Sequence, residues 1–172
     1  MFLKYVFLIL FAFVTNLSAH DTKKKSIKAH EHGAGTLNIV QEGNTLLFEF
    51  EMPGNDIVGF EYKAVTSQDV KKVENAINIL TDYKNMIKPS GSADCSIMDS
   101  SAKVIYEGKH SEFLSEYTFK CSKISDLKVI YLSNFKNFVN NKKLNIKIIG
   151  NNKKTAYVID KSKKIINVKG FF

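Results

Sequence analysis

Residues 36–51 constrain the fold more than any other part of the chain. Leu37 and Ile39 alternate with Thr36, Asn38 and Val40, the tripeptide Glu42-Gly43-Asn44 interrupts, and Leu46, Phe48 and Phe50 then alternate with Glu49 and Glu51. In an extended chain, successive side chains point to opposite faces, so this two-residue period predicts a β-hairpin with one apolar face. Pairing Gln41 with Asn44 sets Ile39 against Leu46, Leu37 against Phe48 and Gly35 against Phe50. Gly33 and Gly35 then fall on the apolar face, where the missing side chain lets another element approach closely. Pro53-Gly54-Asn55 ends the second strand, and Ile57 to Tyr62 forms an apolar corner.

Downstream the period changes. Thr66 and Asp69 have the spacing of a capping box, and Val70, Val73, Ile77 and Leu80 recur at helical steps, which predicts a helix from about Ser67 to Met86. Pro89-Ser90-Gly91 stops it. Strands are expected over 95–100, 103–106, 112–121, 127–132, 143–149 and 153–159, the last two forming a hairpin about Gly150-Asn151-Asn152. Residues 134–140 have room for one helical turn. The fold class is therefore α+β, a mostly antiparallel β-sheet with one long α-helix. A chain of 172 residues with 44% apolar content suits one domain.

The first nineteen residues read as a secretory signal peptide. Lys4 supplies the positive n-region, Tyr5 to Val14 an apolar run, and Leu17-Ser18-Ala19 a small-residue cleavage site. Cleavage after Ala19 leaves residues 20–172 as one domain, with 20–28 a mobile polar leader and no stable membrane anchor. Export matches the cysteines. Cys95 and Cys121 are the only two, and an even count in an exported chain argues for one disulfide. All 25 cationic residues are lysine, and the formal charge is +8. Without arginine's bidentate fork the chain is poorly equipped to read base edges, so nucleic acid is not an expected partner.

Chemistry concentrates in the histidines. His30 and His32 are two residues apart, and on a strand extended back this far they project from one face about 6 to 7 Å apart. With Gly35 opposite Phe50, Glu51 lies across from Ala34 and diagonal to His32. Two imidazoles and a carboxylate suit zinc, with nickel or copper also acceptable. His110, in an expected loop, is a further ligand candidate, and His20, at the mature N-terminus, offers an α-amine and a ring nitrogen. Each also has a plainer reading, as surface histidines of an edge strand, a loop and a mobile leader. No Ser/His/Asp arrangement with recognisable context, P-loop or H-E-x-x-H motif is present, so a non-enzyme is expected. A copper brace at His20 is the catalytic alternative, and a lysine-rich domain contacting anionic envelope surfaces is the structural one.

His30-Glu31-His32-Gly33, Leu37-Asn38-Ile39-Val40, Glu42-Gly43-Asn44, Phe48-Glu49-Phe50-Glu51, Pro53, Asn55 and Ile57-Val58-Gly59-Phe60-Glu61 together resemble the ZrgA-type family of zinc-regulated periplasmic proteins of Gram-negative bacteria. The resemblance implies a periplasmic zinc-binding protein that contributes to zinc acquisition or homeostasis. It also implies that such a protein stores zinc or passes it to the periplasmic component of an importer. Carried over by position, the motif histidines are His30 and His32. The sequence departs from the family in two places. Tyr62 stands where relatives often have histidine, and the segment between the cysteines has His110 with Asp99, Glu107 and Glu112 in place of a long histidine-rich run. These departures imply few zinc sites.

Overall fold

The computed structural model describes residues 31–172. The signal segment, the leader, His20 and His30 lie outside these residues. The hairpin forms as β1 (Ala34–Glu42) and β2 (Thr45–Pro53), and its alternation is realised in full: Leu37, Ile39, Leu46, Phe48, Phe50 and Met52 are all buried. Its register is two residues from the expected one. Glu42 pairs with Thr45, Ile39 with Phe48, Leu37 with Phe50 and Thr36 with Glu51. The two-residue loop is therefore Gly43-Asn44, and Gly43 has φ 58°. A two-residue hairpin loop needs positive φ at its first position, which the expected register would have imposed on Glu42. A slip of two preserves every side chain's face but moves Glu51 from Ala34 to Thr36.

Around this hairpin a six-stranded sheet assembles in the order β4-β5-β2-β1-β7-β8, where β4 is Cys95–Glu107, β5 His110–Cys121, β7 Lys143–Ile149 and β8 Lys154–Asp160. Four of its pairs are antiparallel, and β1 with β7 is parallel, so the sheet is mixed at one joint. Gly35 faces Leu144 there, and a methyl group on it would stand 2.9 Å from both Leu144 Cδ2 and Met52 Cγ. The close approach expected of this glycine is thus present. Gly33 instead lies in a turn ahead of β1. β4 is one strand where two were expected, and a bulge between Ile97 and Asp99 resets its alternation: Cys95 packs on the core from an odd position, Ala102 and Val104 from even ones. β5 begins two residues early, at His110, through the tight turn at Gly108-Lys109.

The inner face of the large sheet is closed by a helix and a second, antiparallel sheet. Two short helices, α1 (Gly54–Ile57) and α3 (Asn134–Asn137), flank the 15-residue α2 (Ser67–Thr81). The Thr66 hydroxyl accepts from Asp69 N–H at 3.1 Å, the cap its spacing predicted, and donates to the Asp69 carboxylate at 2.8 Å. α2 stops at Thr81 rather than Met86. The Asp82 carboxylate accepts from Lys84 N–H and starts a 3-10 turn, which frees Met86 and Ile87 to enter the core as the chain becomes β3 (Ile87–Pro89). With β6 (Val129–Leu132) and β9 (Ile165–Asn167), β3 makes the small sheet, in the order β3-β6-β9. Val73, Ala76 and Leu80 of α2 and Ile87, Ile130 and Ile166 of the small sheet join Phe48, Phe50 and Tyr117 in one buried cluster. Cys95 and Cys121 face each other across β4 and β5 and form the expected disulfide.

Candidate metal centre

Three segments meet at one end of the large sheet: the turn before β1, the loop after α1 and the start of β5. Each brings one donor. Glu31 carbonyl accepts from Ala34 N–H at 3.1 Å, closing the turn that holds His32. Gly33, at φ 83°, gives this turn a left-handed residue, and its carbonyl accepts from Lys142 N–H at 2.8 Å and Lys143 N–H at 2.9 Å. The Lys143 ammonium pairs with the Glu31 carboxylate at 2.8 Å. The loop after α1 carries Glu61, whose sequence neighbours Phe60 and Tyr62 stack on each other with ring centroids 4.5 Å apart. Tyr62 Oη donates to Asp69 at 3.2 Å, fastening this loop to the first turn of α2. The Gly108-Lys109 turn presents His110 as the first residue of β5.

Glu61 joins the three. Its Oε1 lies 3.0 Å from His32 Nε2 and its Oε2 lies 2.7 Å from His110 Nδ1. The carboxylate is 12% exposed, while the imidazoles are 61% and 59% exposed, so the acid sits at the base of the group and the rings form its rim. Ligands at 2.0 to 2.1 Å from a tetrahedral zinc are about 3.3 Å apart, so each imidazole nitrogen stands closer to its carboxylate oxygen than two zinc ligands would, by about 0.3 Å at His32 and about 0.6 Å at His110. Among the described residues no three or more His, Cys, Asp or Glu side chains are grouped so that they could hold a metal ion as they stand. They contain instead two imidazoles hydrogen-bonded to the two oxygens of one carboxylate. A hydrogen must leave each bonded ring nitrogen before a metal can take its place.

The sequence-based candidates are distributed unevenly around this centre. His32 and His110 are brought together, although 78 positions apart in numbering. His32 is not on a strand, because β1 begins at Ala34 and residues 32 and 33 form a turn. The strand-face argument for a His-x-His pair is therefore replaced by a turn geometry. Glu51 pairs with Thr36 on the outer face of the sheet, where Glu49 stands opposite Glu116. Further carboxylates adjoin the centre: Glu107 pairs with His110 across the β4–β5 hairpin, and Glu112, 6% exposed, lies two residues along β5 from it. His30 and His20 lie outside the described residues.

The sequence by itself gives Glu61 no chemical role. Its local signal is a lone acid between two aromatics in a loop, and nothing in that pattern names histidines 29 and 49 positions away. Among the described residues no helix is long and apolar enough to cross a membrane. No curated protein matches the chain. The family model for ZrgA family zinc uptake proteins matches residues 29–168, a span that takes in both sheets, α2 and all three residues of the centre. The chain belongs to the ZrgA family of zinc uptake proteins.

Proposed function

We propose that the protein is a periplasmic, non-catalytic zinc-binding protein that takes up zinc at His32, Glu61 and His110 and passes it to the periplasmic component of an importer. The observation that carries this reading is the Glu61 carboxylate held between two imidazoles at 3.0 and 2.7 Å, in a chain of a zinc uptake family. Two nitrogens and one oxygen supply three ligands and leave a fourth position open, the arrangement from which zinc can be exchanged. His30, two residues before His32 in sequence, is a candidate for the fourth. The exposed rims of both imidazoles let an ion enter and leave without a large rearrangement, which suits delivery better than permanent storage. Neither the reading of His20 as a copper brace nor that of the lysines as an envelope contact is needed.

The test is competition titration of the untagged, metal-free mature protein against a chromogenic zinc chelator. Removing one ligand of a three-residue set should weaken zinc by at least about tenfold, so His32→Ala, Glu61→Gln and His110→Ala should each show that loss. A His32→Ala/His110→Ala double variant that binds zinc as tightly as the wild type would overturn the site assignment.

A further inference from the structure

Behind the His32 turn lies a polar chain that the zinc site itself does not use. Asp56, in α1, is 2% exposed. Its Oδ1 accepts from Gly33 N–H at 2.7 Å and its Oδ2 accepts from Asn141 Nδ2 at 3.1 Å. Asn141 Oδ1 accepts in turn from Asn134 Nδ2 at 3.3 Å, and both asparagines are fully buried. Asn134 Oδ1, at the far end, has no hydrogen-bond partner among the described residues. Burying a carboxylate is costly unless its oxygens are satisfied, so this chain of donors must be explained by what it holds.

It holds the peptide plane between His32 and Gly33. That plane carries both the His32 carbonyl and the Gly33 N–H, so fixing the N–H fixes the backbone torsion from which the His32 side chain departs. The Gly33 carbonyl is fixed independently by Lys142 and Lys143 N–H. Asp56 also stands five residues before Glu61 on the same stretch of chain, so one buried carboxylate ties the turn bearing His32 to the segment bearing Glu61. We propose that Asp56 is a positioning residue of the zinc site, orienting His32 through its hydrogen bond to Gly33 N–H. This rests on the reading of His32 as a zinc ligand.

The unpartnered Asn134 oxygen supplies a conservative variant. In Asp56→Asn the new amide oxygen can still accept from Gly33 N–H, and its NH2 can donate to Asn141 if the amides of Asn141 and Asn134 both turn over. The reversed chain then ends on Asn134 Oδ1, which is vacant as an acceptor. Asp56→Ala removes the acceptor altogether. Losses from groups that orient a metal ligand run from about 10 to 100-fold in affinity.

The experiment is the same zinc competition titration on Asp56→Ala and Asp56→Asn, each with His32 intact and in a His32→Ala background, with thermal unfolding followed in parallel. Asp56→Ala is expected to lose at least about tenfold in zinc affinity when His32 is present and less than about twofold when it is absent. Asp56→Asn should stay within about threefold of wild type. An equal loss in both backgrounds, no loss, or an Asp56→Asn no better than Asp56→Ala overturns the positioning role while leaving His32 a ligand. If His32→Ala alone leaves zinc affinity unchanged, the site reading falls and this proposal with it. Should Asp56→Ala not fold, Asn141→Ala makes the same comparison, with an expected loss of about threefold confined to the chain that keeps His32.

Discussion

Individual residues at the centre are held by contacts that leave little room for change. A methyl group on Gly54 would stand 2.0 Å from Ser111 Oγ and 2.7 Å from the Phe60 carbonyl oxygen. Ser111 and Phe60 immediately adjoin His110 and Glu61, so the strain of Gly54→Ala falls on the backbone that presents two of the three donors. We expect this substitution to cost about 1 to 3 kcal/mol by overpacking, and to weaken zinc as well. Chemical denaturation paired with the chelator titration checks both halves. Acid should act at the same place by a different route. Because protons and zinc compete for the imidazole nitrogens, zinc affinity should fall on acidification, and a titration repeated across pH should show zinc displaced before the fold is lost. An affinity independent of pH would count against imidazole ligation.

At the scale of elements, α2 is secured at both ends by side chains outside its apolar face. Thr66 caps its start, and Thr66→Ala should cost about 1 kcal/mol in unfolding free energy. Its last turn is met by β5: Tyr117 Oη donates to the Leu80 carbonyl, one of the carbonyls that a helix end leaves unpaired. Burial of the phenol pushes its pKa well above the usual tyrosine range, so the hydroxyl remains a donor at any ordinary pH. Tyr117→Phe keeps the ring, which packs edge-on to Phe50, and removes only the donor. The expected cost is about 1 to 2 kcal/mol, visible as a lower denaturation midpoint with an unchanged slope. The start of α2 was legible because a cap is written in adjacent residues. Its end was not, because stopping at Thr81 depends on Met86 and Ile87 being buried in the core with the small sheet.

Across the whole molecule, the disulfide and the candidate metal centre lie at opposite ends of the β4–β5 hairpin. Cys95 pairs with Cys121 at one end and Glu107 with His110 at the other. Breaking the crosslink should therefore loosen the molecule without reaching the proposed zinc donors. For a loop spanning 26 positions, chain entropy gives about 3 to 4 kcal/mol of stabilisation. Cys95→Ser/Cys121→Ser should lose that amount in denaturation while its zinc affinity below the unfolding transition stays within about twofold. A parallel loss of affinity would mean that the hairpin transmits strain along its length. The small sheet and the parallel joint of β1 with β7 also belong to this scale. Gln41 shows how the joint is pinned: its amide donates to the Gly43 carbonyl and accepts from Asn151 N–H, linking the β1–β2 turn to the β7–β8 turn.

Features carried by neighbouring residues could be read directly from the sequence. The two faces of β1 and β2, the Thr66 cap and the pairing of the only two cysteines follow from strand period, helix-end chemistry and an even cysteine count, and none needs knowledge of distant contacts. The histidines stood out as candidate metal ligands by residue type alone. The hairpin register, the β4 bulge and the parallel seat of β7 depend on which loop residue tolerates positive φ and on how strands far apart in the chain pack. The centre depends on such contacts most of all. Glu61 meets His32 and His110 only because three separate turns are held at one sheet end by Asp56, by the Tyr62–Asp69 bond and by the β4–β5 hairpin. Contacts of that kind are set by chain closure and core packing, and local periodicity carries no record of them.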